Sequence, residues 1–365
     1  GLVHIEEPNL QELVSKVVDK RLLSANEEPC IADIFLIAVP TPFRLINEFS
    51  NSIPQPDIHY VIEAARSIAS VLKPSNLILL ESTSPVGTTE KIVELIIAET
   101  GLKPTQFNIA YCPERVLPGR ILQELVQNDR VIGGINKASS LAGKDFYSSF
   151  CKGNLLTTNA RTAEMVKLTE NAFRDVNIAF ANELSMVCDE IGINDRELIR
   201  LANYHPRVNI LQPGCGVGGH CIAVDPWFIA SQSPQITPLI QTARKVNDQK
   251  SYWVIDKLNE LCKGLEISLG RAPIVGCLGL TFKPDVDDIR KSPAQLIISN
   301  LVASGLNVLT CEPNLQKHET LTLYPLEKVL LESDLLVILV AHSAFRNLDF
   351  SARNVIDLCG ITEKS

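Results

Sequence analysis

A cysteine closes a run of glycines at Gly214-Cys215-Gly216-Val217-Gly218-Gly219-His220-Cys221, and a carboxylate, Asp225, follows four residues later. Glycine tolerates positive φ and lets the backbone approach a ligand closely. A thiolate at the end of such a loop is a strong nucleophile. Cys221 also reads as a small buried apolar side chain, as most free cysteines are. Lys167, Asn171 and Arg174 stand at i, i+4 and i+7 of a second segment and so share one helix face. The apolar residues around them (Met165, Val166, Leu168, Phe173, Val176, Ile178, Phe180) predict a helix buried almost all round. A polar stripe on such a helix lines a site or an interface; a solvated face is the plain alternative.

These residues need elements to hold them. The first 150 or so residues alternate strand-like and helical runs, which predicts α/β layers around a parallel sheet. The expected strands are 34–39, 77–81, 108–110 and 130–133. The first two end in Val39-Pro40-Thr41-Pro42 and Glu81-Ser82-Thr83-Ser84-Pro85. Open α/β sheets bind ligands beyond the carboxyl ends of their strands, so Thr41, Thr83 and Ser84 are placed either to meet a ligand or to cap helices. Helices are expected over 162–191, 195–203 and 238–261, with the cysteine loop between the last two. After Gly270 the α/β alternation returns, with strands at 274–278, 307–311 and 335–340 and helices at 292–304 and 326–331. The first of these strands runs into Gly279-Leu280-Thr281-Phe282-Lys283-Pro284-Asp285-Val286-Asp287-Asp288-Ile289-Arg290, a charged loop. Two such sheet domains around a helical middle would leave a cleft for a ligand.

Composition narrows the functions. A chain of 365 residues exceeds one ordinary core. A net charge of -8 without a basic cluster argues against nucleic acid. No apolar run reaches the ~18 residues of a membrane span. The ten cysteines are scattered without a C-x-x-C pair, which suggests neither a zinc ribbon nor a disulfide framework and fits reduced thiols in the cytosol. The N-terminal segment, residues 1–8, lacks the basic start and apolar core of a signal peptide. No G-x-G-x-x-G stands between a first strand and a first helix, and Gly216-Val217-Gly218-Gly219 has the wrong context for that fingerprint.

Six segments taken together resemble the UDP-glucose/GDP-mannose dehydrogenase family: V-P-T-P at Val39, E-S-T-S-P-V-G-T at Glu81, Y-C-P-E-R-V-L-P-G at Tyr111, E-M-V-K-L-T-E-N-A-F-R at Glu164, G-V-G-G-H-C-I-A-V-D-P at Gly216 and G-L-T-F-K-P-D-V-D-D-I-R-K-S-P at Gly279. They span nearly the whole chain in the family's order. The stretches 112–119 and 204–210 look most like the branch that oxidises UDP-N-acetyl-D-mannosamine.

The resemblance implies an α/β fold of two Rossmann-like parallel-sheet domains joined by a long helix and a helical middle region: an NAD-binding domain at 1–158, a central domain at 159–264 and a UDP-sugar-binding domain at 265–365. It implies oxidation of a C6 alcohol to a carboxylate in two NAD-dependent steps. Cys221 would attack the C6 aldehyde, and the resulting thiohemiacetal would become a thioester. Lys167 would donate or accept a proton or stabilise the oxyanion, Asn171 would help hold it, Asp225 would hold a water, and Glu114 would act as acid or base. Arg115, Val116, Arg174, His205, Arg207, Gly218, Phe282 and Lys283 would line the UDP-sugar; Thr41, Thr83 and Arg290 would contact NAD. A cytoplasmic homodimer packed through the helix around Asn177–Asn182 is expected, with no metal. The family opens with a strand, a glycine-rich turn, a helix and an acid-tipped strand. This sequence starts after them, so a truncated first sheet is expected.

The chemistry agrees with these roles. Thiolate is both nucleophile and leaving group. A cation and an amide one helical turn apart suit an oxyanion that forms twice. Arg174, Arg207 and Lys283 can meet two phosphates. The rival expectations are another UDP-sugar 6-dehydrogenase (glucose or N-acetylglucosamine), a non-catalytic UDP-sugar-binding or dimerisation module, and a two-electron 3-hydroxyacid dehydrogenase that would not need Cys221.

Overall fold

The computed structural model describes residues 2–3, 7–44, 53–351 and 353–362. Residues 4–6 of the N-terminal segment lie outside them. The chain divides into one unit of residues 1–170 and 227–234 and a second of residues 171–226 and 235–365.

In chain order the first unit contains α1 (Leu10–Asp19), β1 (Ile34–Ile37), β2 (Phe43–Arg44), β3 (Gln55–Pro56), α2 (His59–Ala69), β4 (Leu77–Leu80), α3 (Thr88–Thr100), β5 (Asn108–Tyr111), α4 (Ile121–Gln127), β6 (Arg130–Gly134), α5 (Lys137–Ser148), β7 (Leu155–Asn159) and the start of α6 (Ala160–Ile191). Five strands form one sheet in the order β1-β4-β5-β6-β7, while β2 and β3 pair separately. All four residues of β4 are apolar and buried, as expected of a strand covered on both faces. β1 lies at the sheet edge, with Phe35 and Ile37 buried and Leu36 exposed.

The expected parallel sheet needs one correction: β6 runs antiparallel to β5. A parallel crossover must carry the chain back across the sheet. The only helix between them, α4, has seven residues and spans about 10 Å, so β6 starts from the carboxyl end of β5. Glu164 of α6 is fully buried and accepts from the N–H groups of Gly87 (2.6 Å) and Thr89 (2.8 Å) and from the Thr89 hydroxyl (2.7 Å). A carboxylate thus neutralises the start of α3 and ties it to α6.

The second unit contains the rest of α6, then α7 (Asp195–Ala202), the start of α8 (Asp225–Gln232), α9 (Pro238–Leu269), β8 (Ile274–Leu278), α10 (Pro293–Ala303), β9 (Asn307–Cys311), α11 (Leu326–Glu332), β10 (Leu335–Ile338) and β11 (Val355–Asp357). Its sheet has the order β11-β10-β8-β9, with every pair parallel. Ser292 caps α10 by accepting from Gln295 N–H, and Pro293 takes the first helical position. The core gathers α9, α10 and the strands around Val254, Leu258, Val275, Ile297 and Val337.

A polar seam joins α6 to α9. Arg244 donates to Asp175 at 2.5 Å, Asn247 donates to Asp175 at 2.8 Å, and Asn182 donates to Asn247 at 2.9 Å, all four residues being buried. The expectation that α6 is buried almost all round is not met. Phe173 (68%), Phe180 (55%), Val187 (46%) and Ile191 (61%) are exposed. Their spacing of seven, seven and four residues makes one apolar stripe. The seam uses up the opposite side, so these side chains have no core to enter within the unit.

Candidate active site

In the second unit Cys221 is half-buried, and its carbonyl accepts from the N–H groups of Val224 (3.0 Å) and Asp225 (2.9 Å) as the chain enters α8. Asp225 is 3% exposed, and its Oδ2 accepts from Asn171 Nδ2 at 2.5 Å. The helix-face amide and the carboxylate downstream of the cysteine, 54 residues apart in sequence, are therefore bonded.

The glycines explain how the loop reaches its partner. A Cβ on Gly218 would stand 2.5 Å from Lys291 O and 2.8 Å from Phe282 Cβ, and one on Gly219, whose φ is +81°, would stand 2.8 Å from the Phe282 ring. Gly219 N–H donates to Arg290 O at 3.0 Å. Only residues without side chains let the 216–221 loop lie against the 282–291 loop. Gly218→Ala is expected to lower stability by about 1–3 kcal/mol in thermal denaturation, because Phe282 must shift; an unchanged melting temperature would show the loops are not in contact.

Phe282 and Lys283 follow β8 and are held from below. Glu312, at the carboxyl end of β9, accepts from Leu280 N–H (2.7 Å), Thr281 N–H (3.1 Å) and His342 Nε2 (3.0 Å). Burial would push this carboxyl up, but His342 and the N–H groups of Asn314 and Leu280 outweigh it and hold it below the ordinary value. His342 Nδ1 accepts from Asp285 N–H at 3.0 Å, which makes Nε2–H the donor to Glu312. Arg290 makes three hydrogen bonds of 2.6–3.0 Å to Asp288. That pairing raises the Arg290 pKa, with burial opposing it. His205 and Arg207 stand on the exposed loop after α7, and Arg174 is exposed on α6.

In the first unit Lys167 is half-buried and donates to the Glu114 carbonyl at 3.0 Å. The Glu114 carboxylate meets Arg130 at 3.3 Å. Arg130, 4% exposed, lies 4.7 Å from the Tyr147 ring centroid, and the Tyr147 hydroxyl donates to Glu81 at 2.6 Å. Burial holds Glu81 above the ordinary carboxylate value, with the Tyr147 bond opposing it. Sequence reasoning did not single out Arg130 or Tyr147. The one available signal was a charged residue heading an apolar strand. Arg115 pairs with Glu170 at 2.6 Å and also reaches the Asp129 carbonyl; Val116 beside it is half-buried. Thr41 and Thr83 lie just past the carboxyl ends of the neighbouring parallel strands β1 and β4.

The thiols separate by environment. Burial pushes Cys112 and Cys311 up to about 11, and Cys215 and Cys277 up to about 12. These four stay protonated and inert at neutral pH. Cys221 is instead half-buried, on the loop whose Gly219 N–H donates to Arg290 O.

Three consecutive regions match family models: residues 1–151 the NAD binding domain, 161–249 the central domain and 276–364 the UDP binding domain of the UDP-glucose/GDP-mannose dehydrogenase family. The chain belongs to the UDP-glucose/GDP-mannose dehydrogenase family. It is an NAD-dependent UDP-sugar dehydrogenase. It is 51% identical to the UDP-N-acetyl-D-mannosamine dehydrogenase of Escherichia coli K12 over 95% of this chain and 85% of that protein. It is 49% identical to the NDP-N-acetyl-D-galactosaminuronic acid dehydrogenase of Ralstonia nicotianae over 99% of this chain and 86% of the relative. Among solved structures, the UDP-N-acetyl-mannosamine dehydrogenase Cap5O of Staphylococcus aureus aligns with a TM-score of 0.88 at 40% identity, covering 100% of this chain and 86% of that one. No helix among the described residues is long and apolar enough to cross a membrane.

The residues present fit one part of NAD. Thr41 and Thr83 offer hydroxyls where adjacent parallel strands of an open sheet end, the usual ligand position. The sequence has no G-x-G-x-x-G between a strand and a helix, so no residue is assigned to the pyrophosphate.

Proposed function

We propose that this UDP-sugar dehydrogenase converts UDP-N-acetyl-D-mannosamine to the corresponding uronate in the cytoplasm, for a surface polysaccharide, by a covalent cysteine route. The Asn171–Asp225 hydrogen bond carries the reading, because it couples the helix-face amide to the carboxylate beside Cys221. NAD, held in part by Thr41, Thr83 and Arg290, would supply the hydride acceptor for each of the two oxidations at C6. Cys221 adds to the C6 aldehyde, and Lys167 and Asn171 stabilise the oxygen as it becomes negative. After the second oxidation the sulfur is a thioester, and a water held by Asp225 displaces it. Glu114, with Arg130 as counter-ion, takes or returns the proton. Arg115, Val116, Arg174, His205, Arg207, Gly218, Phe282 and Lys283 bind the sugar nucleotide, and Thr41, Thr83 and Arg290 bind NAD. The domains are 1–158, 159–264 and 265–365. The exposed stripe of Phe173, Phe180, Val187 and Ile191 supports a homodimer through α6.

The E. coli and S. aureus relatives are named for the manno sugar. The Ralstonia relative favours a galacto-configured sugar as the second reading. A panel of UDP-N-acetylmannosamine, UDP-N-acetylgalactosamine, UDP-N-acetylglucosamine and UDP-glucose separates them. The expected result is two NADH per manno sugar with kcat/KM at least about tenfold above the rest. A preference for another sugar overturns the substrate, and one NADH per sugar overturns the thioester route.

A further inference from the structure

α9 carries a lysine at a core position. Lys250 is 2% exposed; its ammonium donates to Ser185 Oγ at 2.8 Å and stands 3.9 Å from the Trp253 ring centroid. Among the described residues no carboxylate is within ion-pairing distance of it. The acids around it are largely committed. Asp189 on α6 pairs with Lys257, which also faces Trp253. Asp357 on β11 accepts from the N–H groups of Cys359, Gly360 and Thr362. Arg196 on α7 gives its hydrogen bonds to Gln212 Oε1 and to the carbonyls of Pro213 and Leu358, and likewise has no carboxylate partner among the described residues. Asp195, half-buried at the start of α7, lines the same space as Lys250 and Arg196 without an ion pair to either.

Lys250, Trp253, Arg196, Asp189, Asp195 and Asp357 line a cavity of about 230 Å³ within the second unit. The space is large enough for a small ligand, and its wall sets the Trp253 ring beside three cations, Lys250, Arg196 and Lys257, and three carboxylates, of which only Asp189 makes an ion pair among the described residues, with Lys257. A buried charge without a counter-ion is costly, and burial pushes Lys250 down to about 8 with Asp195 opposing it. An oxyanion in the cavity would give Lys250 the directly bonded charged acceptor that none of these carboxylates supplies.

We infer that this cavity is a binding site for a small oxyanion, a phosphate or a carboxylate, held by Lys250 beside the Trp253 ring. Pro213 and Gly214 form part of its wall, and Gly214 N–H donates to Asn182 at 2.9 Å. The occupant therefore touches the segment that leads into the Cys221 loop. The site is independent of which UDP-sugar is oxidised.

The chain has two tryptophans, so Trp227→Phe leaves Trp253 as the only indole reporter. Its emission is followed while inorganic phosphate or sodium acetate replaces chloride at constant ionic strength. A saturable change with a millimolar midpoint is expected; saturation by phosphate alone identifies a phosphate site, and saturation by acetate as well a carboxylate-accepting one. Asp195→Asn removes the opposing charge and should tighten binding about threefold, whereas Lys250→Met should weaken it at least about tenfold. Opposite signs separate the site from general destabilisation and from phosphate bound where the sugar nucleotide goes. If Lys250→Met does not fold, the sign for Asp195→Asn decides. No saturation by either anion, weaker binding in Asp195→Asn, or unchanged binding in a folded Lys250→Met overturns the site.

Discussion

Cys221→Ala is expected to stop net oxidation of the UDP-sugar, with kcat falling of the order of 10³-fold or more, about 4 kcal/mol of transition-state stabilisation. Binding of the UDP-sugar should change little. In the proposed route the thiol turns an aldehyde into a species able to lose a second hydride, and it then leaves on hydrolysis. Cys221→Ser separates nucleophilicity from shape, because an alkoxide is a poor leaving group. It should lose activity nearly as fully as the alanine variant. The buried thiols pushed to about 11 or 12 cannot substitute, since they are protonated at neutral pH. NADH absorbance measures turnover, and intact mass of denatured wild-type enzyme quenched during turnover reads the covalent adduct. An alanine variant with more than a tenth of wild-type kcat would remove Cys221 from the mechanism.

The largest effect on stability is expected at Arg244. This guanidinium is 1% exposed and pairs with the fully buried Asp175 at 2.5 Å and with Asp248. Arg244→Met leaves an uncompensated buried carboxylate and should cost about 3–5 kcal/mol, read by urea unfolding. Asp175→Asn/Arg244→Met should recover much of that loss, because no charge is then stranded. The pH dependence has a definite sign. Burial pushes Asp175 up to about 6, with Arg244 opposing, against 3.8 for the ordinary group. A raised carboxyl favours folding when protonated, and that contribution is lost as pH rises through the folded value. Without Arg244 the folded value moves higher still. The gap between wild type and variant is therefore largest above pH 6 and narrows as pH falls toward 4. A gap that widens on acidification would contradict the pairing.

Much of the fold was legible because its signals are local. The strands at 274–278 and 307–311 coincide with β8 and β9 residue for residue, being apolar runs bounded by glycine or charged turns. β7 and β11 were missed. β7 is largely exposed, β11 has three residues, and both are edge strands, so neither carries a buried apolar run. α9 runs to Leu269 rather than Leu261, because Gly264 does not interrupt it and its stop is the left-handed Gly270. The antiparallel β6 was also hidden, since strand direction depends on what the connection can span and not on the strand's own residues.

The candidate site divides the same way. Residue types and spacing alone determined that a glycine-flanked cysteine, a carboxylate four residues on, and a lysine and an amide one helical turn apart were the groups to watch. Those relations lie within a few residues, where helical period and glycine's backbone freedom act directly. Only the tertiary structure decided that Asn171 bonds Asp225, that Gly218 packs on Lys291 and Phe282, that Arg130 backs Glu114, and that α6 leaves an apolar stripe of Phe173, Phe180, Val187 and Ile191 exposed. Such contacts join segments tens of residues apart. They are set by which helix and sheet faces pack together, a choice made by the whole core and not by any one stretch of chain.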